Sequence, residues 1–432
     1  MICTSLFMIV AYNLSFTQAN SNGNALCSQI LQYMQGLTSG CEILYSQDLG
    51  HVDNISNQYA TYITGLENNT GVLLPMIGGD YGLGGYDMNA INTTLENHWN
   101  QKKLVTLSWH LPNPWTSGDS WDVTNQDKLA DLLDNTKPVA ATWRSQLDEI
   151  ATVLQDLKNR GVVVLWRPLH EANGYWFWWG HPAASDASDA AAFKALWQDM
   201  FNYFSVTKGL DNLLWVYSAG EGQFHNPTDF CYPGGHVVDI VGLDLYHDDL
   251  SVVQPQDFQN LINLNKVLAV TEFGPDIPND PADYDYTVVH NFIKNNYPEV
   301  AYLHAWHSWQ HTPALYHHNS FVENVNANTI LNDACHQQID PAVFDLTTNA
   351  YEVGSDFVRI YPNPSPNQLK IEGLLGSADI RIFDALGQLV QNLNGMSTPI
   401  TIDLSTYVSG PYFLSIINQN NQQVWTHTMI VN

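Results

Sequence analysis

The chain has 432 residues, of which 45% are hydrophobic and only 13% are charged, so it can bury a large core and is not expected to be disordered. Its 15 basic and 43 acidic residues give a formal net charge of −28, which repels nucleic acid and anionic membranes and argues against nucleic acid as a partner. The length exceeds one ordinary domain and allows a large barrel with a small appendage.

The first 19 residues have the pattern of a secretory signal peptide. A short apolar run begins at Leu6, and Thr17-Gln18-Ala19 is a small-x-small cleavage site. The run is too short to cross a bilayer, and no later segment offers about 20 continuous apolar residues. We therefore predict an exported protein with no membrane span.

Cysteine usage agrees with export. If Cys3 leaves with the signal peptide, Cys27, Cys41, Cys231 and Cys335 remain, and four cysteines allow two disulfides in three pairings. Cys27 with Cys41 is the favoured pair, because both flank the first predicted helix. None of the four has the close spacing of a zinc site.

Between residues 40 and 310, short apolar runs alternate with longer amphipathic ones. The runs are rich in Val, Ile and Leu without strict alternation, as expected for parallel strands buried on both faces. Residues 139–159 and 187–206, for example, have helical periodicity. Eight such units predict a (β/α)₈ TIM barrel over residues 20–340. The predicted strands are 42–46, 72–77, 104–109, 162–166, 213–218, 240–245, 267–271 and 302–306.

The character of the sequence changes after Pro341. Residues 341–356 are predicted to be a linker, and residues 357–432 contain short alternating runs broken by Pro- and Gly-rich turns. This pattern predicts a small all-β sandwich. Its predicted strands are 358–361, 368–371, 379–384, 400–404 and 412–417.

Two glutamates follow barrel strands beside aromatic or histidine neighbours. Glu171 comes after strand four and Glu272 after strand seven. Active sites of such barrels lie at the carboxyl ends of the strands, so the two side chains should face one another. Glycoside hydrolysis needs one protonated and one ionised carboxyl group across the scissile bond. A single glutamate there is more often a helix cap or an ion-pair partner, but two beside aromatic rings favour catalysis.

Aromatic and histidine residues near these strand ends are candidates for sugar contacts. The 14 Trp and 21 Tyr exceed what a core needs, and flat rings suit the apolar faces of sugars. Residues 176–179 lie in a predicted loop, so their rings are expected to stack on sugars. A group of histidines resembles a metal cluster but lacks paired carboxylates, so a solvated or substrate-lining role is predicted for them. They are His307, His311, His317 and His318.

At these positions the sequence resembles glycoside hydrolase family 26, whose characteristic activity is endo-β-1,4-mannanase. Residues 166–180 read WRPLHEANGYWFWWG, residues 238–246 read VDIVGLDLY, and residues 271–274 read TEFG. The first motif is long and specific, and together the three extend the resemblance over residues 40–340.

The resemblance implies a role for each matching residue. Glu171 would be the acid/base and Glu272 the nucleophile, with net retention through a covalent glycosyl-enzyme intermediate. His170 would orient the acid, and Tyr246 would hydrogen-bond the nucleophile. The walls of the sugar subsite would be His110, Trp176, Asp244 and Trp306. The implied substrate is β-mannan or a related plant polysaccharide, and no metal or organic cofactor is implied.

The last segment resembles the type A sorting domain of type IX secretion substrates. Residues 360–365 read IYPNPS, residues 382–390 read IFDALGQLV, and residues 410–413 read GPYF. The usual terminal lysine is absent. Such a domain implies a partnership with the secretion machinery and a location at the cell surface or in the medium.

Two alternatives remain open. A β-1,3-xylanase or mixed-linkage β-glucanase of the same fold would share both glutamates and differ in its loops, which also decide between endo and exo action. A non-catalytic carbohydrate-binding protein would need aromatic rings but no paired carboxylates, and both are present. A monomer is expected for an enzyme that must meet a polymer.

Overall fold

The computed structural model describes residues 18–431 except 39, 51–53, 83–86, 181–186, 223–225, 276–281, 313–314, 346–358, 362–366, 373–376, 385–387, 398–399 and 419–423. Residues 1–17 of the predicted signal peptide and residues 346–356 of the predicted linker therefore lie outside the described residues. The chain divides into two compact units, Met1–Leu346 and Thr347–Asn432.

The first unit is built on a closed barrel of eight parallel strands in the order β1 to β8, which confirms the predicted TIM barrel and all eight of its predicted strands. Their interiors are buried on both faces, which explains the continuous apolar runs. The strands are β1 Leu44–Asp48, β2 Met76–Tyr81, β3 Leu104–Trp109, β4 Val164–Pro168, β5 Leu213–Gly220, β6 Ile240–Tyr246, β7 Val267–Gly274 and β8 Val300–Ala305.

Most barrel strands extend further toward their carboxyl ends than the apolar runs predict. β2 starts four residues later than expected and ends with the polar pair Asp80 and Tyr81, and β1 ends at Asp48. These polar groups are buried but hydrogen-bonded, so they can continue a strand that hydropathy alone would end. The top of the barrel is therefore a polar layer above an apolar one.

Amphipathic helices cover the barrel. The predicted helices at 139–159 and 187–206 are confirmed, although the second ends in a π-helical turn, Tyr203–Thr207. None of the described helices is both long and apolar enough to cross a membrane. Their bounds are α1 Ala25–Leu37, α2 Ile55–Gln58, α3 Gly65–Thr70, α4 Met88–Trp99, α5 Pro138–Asn159, α6 Ala187–Asn202, α7 Pro255–Ile262, α8 Thr287–Asn296 and α9 Ala327–Leu331.

The predicted Cys27–Cys41 disulfide is wrong, because Cys41 is bonded to Cys335. Cys27 lies on the buried face of α1, with its thiol 3.4 Å from the Asp211 carbonyl. Cys41 instead precedes β1. A parallel β-bridge between Ile43 and His336 places the segment after α9 next to the segment that contains Cys41. Cys27 and Cys231 are buried free thiols. The pairing follows from barrel closure, which joins cysteines 294 residues apart.

Residues at the start of the predicted linker belong to the barrel unit. A 3₁₀ turn at Pro341–Phe344 begins with an Asp340 side-chain cap and buries Val343 and Phe344 in the barrel core. Phe344 lies edge-on to Trp99 of α4, with ring centroids 5.0 Å apart. The apolar character of these two residues explains why the chain remains packed up to residue 345.

The second unit is the predicted all-β sandwich. Its three-stranded sheet has the order β11-β12-β15 and its four-stranded sheet the order β14-β13-β16-β17, and alternate apolar residues of both meet in one core. β14 was not predicted because it is exposed along most of its length and so lacks an apolar alternation; β17 was also missed. The strands are β11 Arg359–Tyr361, β12 Gln368–Glu372, β13 Ser377–Phe383, β14 Leu389–Ser397, β15 Ile400–Asp403, β16 Gly410–Asn418 and β17 Val424–Val431. A short antiparallel pair, β9 Trp309–Thr312 and β10 Leu315–His317, follows β8 in the first unit.

Candidate active site

A cavity of 760 Å³ opens at the carboxyl ends of the barrel strands. All eight site residues predicted from the sequence line it, although they come from strands or loops spread over almost 200 residues of chain. They are His110, His170, Glu171, Trp176, Asp244, Tyr246, Glu272 and Trp306. The cavity has the size and mixed aromatic and carboxylate lining of a small-molecule or oligosaccharide site.

Glu171 stands on a strained turn directly after β4. Its φ of 54° and that of Leu169, 49°, lie in the left-handed region, which non-glycine residues seldom adopt. The turn is fixed by two backbone hydrogen bonds, from Glu171 N to the Ser218 carbonyl and from Gly174 N to the Glu171 carbonyl, both 2.9 Å. Trp176 Nε1 donates a 2.6 Å hydrogen bond to Glu171 Oε2. The backbone conformation and the indole together aim the carboxyl group into the cavity.

Glu272 lies near the end of β7, held by donors on both oxygens. Arg167, at the end of β4, donates to Oε1, and the Tyr246 hydroxyl donates to Oε2 at 2.6 Å. His170 Nε2 lies 3.9 Å from Oε1. Arg167, His170 and Glu272 are buried and Tyr246 is partly buried, so these hydrogen bonds are largely shielded from water and favour an ionised Glu272.

Asp244 completes a group of three carboxylates. Arg167 Nη1 donates to its Oδ2 at 3.1 Å, and Thr271 Oγ1 donates to its Oδ1 at 2.7 Å. One carboxylate oxygen each from Glu171, Asp244 and Glu272 lies within 4.8 Å of the other two, a separation that would also suit a cation. The buried Arg167 guanidinium donates to two of the three and so neutralises part of their negative charge.

These surroundings separate the two glutamates in proton affinity. Burial raises the pKa of Glu171 well above its ordinary value, and the negative charges of Asp244 and Glu272 raise it further. Burial also raises the pKa of Glu272 to about 7, but Arg167 and the Tyr246 hydroxyl oppose this effect. When the pair holds one proton, these surroundings favour its binding to Glu171 over Glu272.

His110 is held by a carboxylate that the sequence analysis did not single out. Asp80, at the end of β2, accepts from His110 Nδ1 at 2.7 Å and from the Ser108 hydroxyl. The contact fixes the ring so that Nε2 is left for the cavity. The Trp121 ring stacks on His110 with centroids 5.5 Å apart and is half exposed, which makes it a further flat surface in the cavity.

The expected sugar stacking by residues 176–179 is only partly compatible with the structure. Trp178 and Trp179 are fully buried, and their indole nitrogens donate to the carbonyls of Leu111 and His170. Trp176 and Phe177 line the cavity. The loop thus has two layers: the buried Trp178 and Trp179 support Trp176 and Phe177, which face the cavity.

The described histidines after β8 form no metal cluster. The role predicted for His307 is wrong, because its ring is buried and Nδ1 lies 2.7 Å from Asp48 Oδ1. His317 stacks on Trp309 with centroids 4.5 Å apart, and His318 Nδ1 lies 3.2 Å from Glu323. The His311 side chain lies outside the described residues.

Trp306 forms the wall opposite Glu171. It follows β8, which is four strands from β4 around the barrel, and only 7% of its surface is exposed. The Arg167 guanidinium carbon lies 5.9 Å from its ring centroid, and the His110 ring 6.2 Å away. The ring is therefore fixed by the same residues that surround the carboxylates.

The main omission of the sequence analysis is Arg167. An arginine at the end of an apolar strand must find buried anions, and that signal could have identified it. Asp80 and Glu221 are comparable cases, since each is a carboxylate at or just after a strand end. No local pattern marks Trp121, which reaches the cavity from the loop after β3.

A TIM barrel with two neighbouring carboxyl groups and aromatic walls at its carboxyl end defines a site of the glycoside hydrolase class. The family model for "Glycosyl hydrolase family 26" matches residues 19–333, so the chain belongs to that family. The family model for "Secretion system C-terminal sorting domain" matches residues 359–432. Both predicted resemblances are thereby confirmed, and the sorting domain indicates secretion or attachment to the cell surface.

Named relatives agree with this family. The chain is 40% identical over 220 residues to a mannan endo-1,4-β-mannosidase A and B of Caldalkalibacillus mannanilyticus (50% of this chain, 42% of that protein). It is 38% identical over 235 residues to a mannan endo-1,4-β-mannosidase of Bacillus subtilis strain 168 (52% and 63%). The matches thus span less than two thirds of either relative. A solved Bacillus subtilis mannanase structure superposes with a TM-score of 0.65 and 28% identity, covering 74% of this chain and 95% of that one.

Proposed function

We propose that the protein is a secreted, retaining endo-β-1,4-mannanase, in which Glu171 is the acid/base and Glu272 is the nucleophile. The observation that carries this proposal is the different environment of the two carboxyl groups. Glu272 accepts from Arg167 and Tyr246, whereas Glu171 accepts, among the described residues, only from the Trp176 indole and faces two carboxylates. A carboxylate stabilised as an anion is suited to attack, and a carboxyl group kept protonated is suited to donate.

The separation of the two groups supports retention. An oxygen of Glu171 and one of Glu272 lie within 4.8 Å of each other. Retaining glycosidases have carboxyl groups about 5–5.5 Å apart, whereas inverting enzymes need roughly 6.5–9.5 Å to admit a water molecule. The shorter distance leaves the nucleophilic role to the carboxylate itself.

The reaction proceeds by two displacements. In the first, Glu171 protonates the glycosidic oxygen, a Glu272 oxygen bonds to the anomeric carbon, and the leaving sugar departs as an alcohol. In the second, Glu171, now ionised, takes a proton from water, whose oxygen displaces Glu272 from the anomeric carbon. The proton returns to Glu171, so the enzyme ends as it began.

Other cavity residues would act on the sugar or on the two glutamates. Tyr246 and Arg167 hold Glu272 in place until it attacks. Burial and the nearby Arg167 lower the pKa of His170 well below its ordinary value, so its imidazole is neutral beside Glu272. His110, Trp176, Asp244 and Trp306 would form the walls around the reacting sugar.

The substrate class comes from the relatives, two of which are named as mannan endo-1,4-β-mannosidases. A monomer exported with the help of its sorting domain would meet mannan outside the cell. β-1,3-Xylan and mixed-linkage β-glucan are the competing substrates, because both would use the same two glutamates.

The test is the release of reducing sugar, with product sizing, by the full chain from mannan, β-1,3-xylan and mixed-linkage glucan. Short mannooligosaccharides from mannan, released with retention at the anomeric carbon by NMR, are expected. Release from xylan or glucan alone would overturn the substrate, and inverted product would overturn the mechanism. The E171Q/E272Q double variant is the matched control, since it keeps the volumes of both side chains.

A further inference from the structure

A third glutamate reaches the cavity and is not needed for the two displacements. Glu221 follows β5 directly and lines the cavity beside Glu171, Trp176 and Tyr246. Only 11% of its side-chain surface is exposed. A carboxylate this deeply buried has to be compensated by hydrogen-bond donors or by charge.

One oxygen of Glu221 lies close to a histidine, and the other is buried without a hydrogen-bond donor in the described part of the chain. His247, the residue after β6, places Nε2 2.7 Å from Oε2. Among the described residues, Oε1 has no hydrogen-bond partner, although it is buried. Burial and the negative charge of Glu221 contribute to raising the pKa of Asp257 to about 6. The carboxyl group is therefore positioned beside His247 at the cavity wall, and one of its oxygens still lacks a donor from the residues that the structure describes.

The backbone around Glu221 is fixed relative to Glu171. The Asn173 side chain, two residues after Glu171, accepts from Gly220 N at 2.9 Å and donates to the Gly220 carbonyl at 2.7 Å. A Cβ at Gly220 would lie 3.3 Å from the Trp176 ring and 3.8 Å from Glu171 Cβ, so the strand end packs directly on both. On the other side, Gly222 N donates to Asp257 at 3.0 Å. This anchoring suits a binding group whose position must match that of the acid.

The position of Glu221 in the barrel indicates which sugar of the substrate would lie next to it. Glu171 protonates the oxygen that leaves, so the departing sugar lies on its side of the cleavage point. β5 is the neighbour of β4 in the barrel, whereas Trp306 follows β8, four strands away. Glu221 is thus on the side of the leaving sugar, and Trp306 is on the side of the sugar that becomes attached to Glu272.

We propose that Glu221, supported by His247, binds hydroxyl groups of the leaving-side pyranose and so forms a polar subsite adjacent to the acid/base. This inference rests on the proposed function. Two neighbouring sugar hydroxyls can donate to one carboxylate, and hydrogen bonds to a charged acceptor are stronger than those between neutral groups. The same subsite receives the acceptor sugar when the glycosyl-enzyme is attacked by a sugar instead of water.

The experiment compares two substrates on the full chain. In mannotetraose the leaving group is a sugar, which carries hydroxyl groups. In 4-nitrophenyl β-mannobioside, cleaved at its aryl bond, the leaving group is an aromatic ring without sugar hydroxyl groups. Glu221→Ala is expected to lose roughly 10- to 100-fold in kcat/KM on mannotetraose, with less than a twofold change on the aryl substrate. Glu221→Gln should lose less, and His247→Leu should follow Glu221→Ala in direction.

Glu323→Gln is the matched control, because Glu323 also pairs with a histidine but does not line the cavity. It should leave both substrates unaffected. As a second measurement, transfer from the aryl substrate to added mannobiose should fall in Glu221→Ala while hydrolysis continues. Equal losses on both substrates, or no loss on either, would overturn the subsite. A wild-type protein inactive on both would instead refute the proposed function.

Discussion

The indole nitrogen of Trp176 donates a 2.6 Å hydrogen bond to Oε2 of Glu171, five residues before it on the same loop. This hydrogen bond favours the ionised carboxylate and so opposes the rise in the pKa of Glu171 that burial and the two nearby carboxylates cause. The indole therefore positions the Glu171 carboxyl group and also limits how strongly that group holds its proton.

Replacement of Trp176 by Phe should raise the pKa of Glu171 further. In the proposed mechanism activity requires a protonated Glu171 and is lost as pH rises through this pKa, so the basic limb of kcat/KM should move to higher pH. We also expect kcat to fall about tenfold, because the acid loses its orientation. A pH–rate profile on mannotetraose measures both effects. Trp99→Phe, far from the cavity on α4, should leave the profile unchanged; a basic limb that moves to lower pH would contradict the assignment.

Replacement of Tyr246 should shift the acid limb of the pH profile of kcat/KM. Its hydroxyl donates to Glu272 and lowers the pKa of that carboxyl group, which lies at about 7. Tyr246→Phe should therefore raise the pKa of Glu272. Because the proposed attack needs an ionised Glu272, the acid limb of kcat/KM is expected to move to higher pH. An unchanged acid limb would mean that Glu272 is not the group that must be ionised.

Replacing each glutamate by alanine distinguishes their roles. Glu272→Ala should reduce hydrolysis by several orders of magnitude, since no covalent intermediate can form. Glu171→Ala should still form that intermediate from an aryl mannoside with a good leaving group, because such a group needs no proton. Intact-mass spectrometry of the trapped glycosyl-enzyme provides the measurement. Intermediate formation by Glu272→Ala, or none by Glu171→Ala, would reverse or refute the assignment.

The Cys41–Cys335 disulfide closes a loop of 294 residues and should stabilise the barrel unit. Replacement of either cysteine by serine is expected to lower the free energy of unfolding by about 2–5 kcal/mol. The double variant should match the single ones, because each change breaks the same bond. Denaturant unfolding of the barrel unit, followed by tryptophan fluorescence, measures this. Additive losses would show that the two cysteines act separately.

Some features follow from the sequence because they are local. The eight apolar runs predict eight barrel strands, since a parallel strand buried on both faces must be apolar over its length. The helix at Pro138–Asn159 is encoded by its apolar spacing and by a proline suited to a first turn. Glu171 and Glu272 stand out because the ends of barrel strands are where such barrels place their chemistry.

Other features depend on contacts between distant residues. No periodicity reveals that Arg167 bridges Asp244 and Glu272, 77 and 105 residues away. The same holds for Asp80 beside His110 and for Cys41 bonded to Cys335, where a local rule favoured Cys27. The sequence by itself determined the barrel, the sandwich and the positions of the two glutamates at strand ends, because the residue pattern within each short segment predicts a strand and where it ends. Only the tertiary structure decided which charges and hydrogen-bond donors surround each carboxyl group, because barrel closure alone brings these distant residues together.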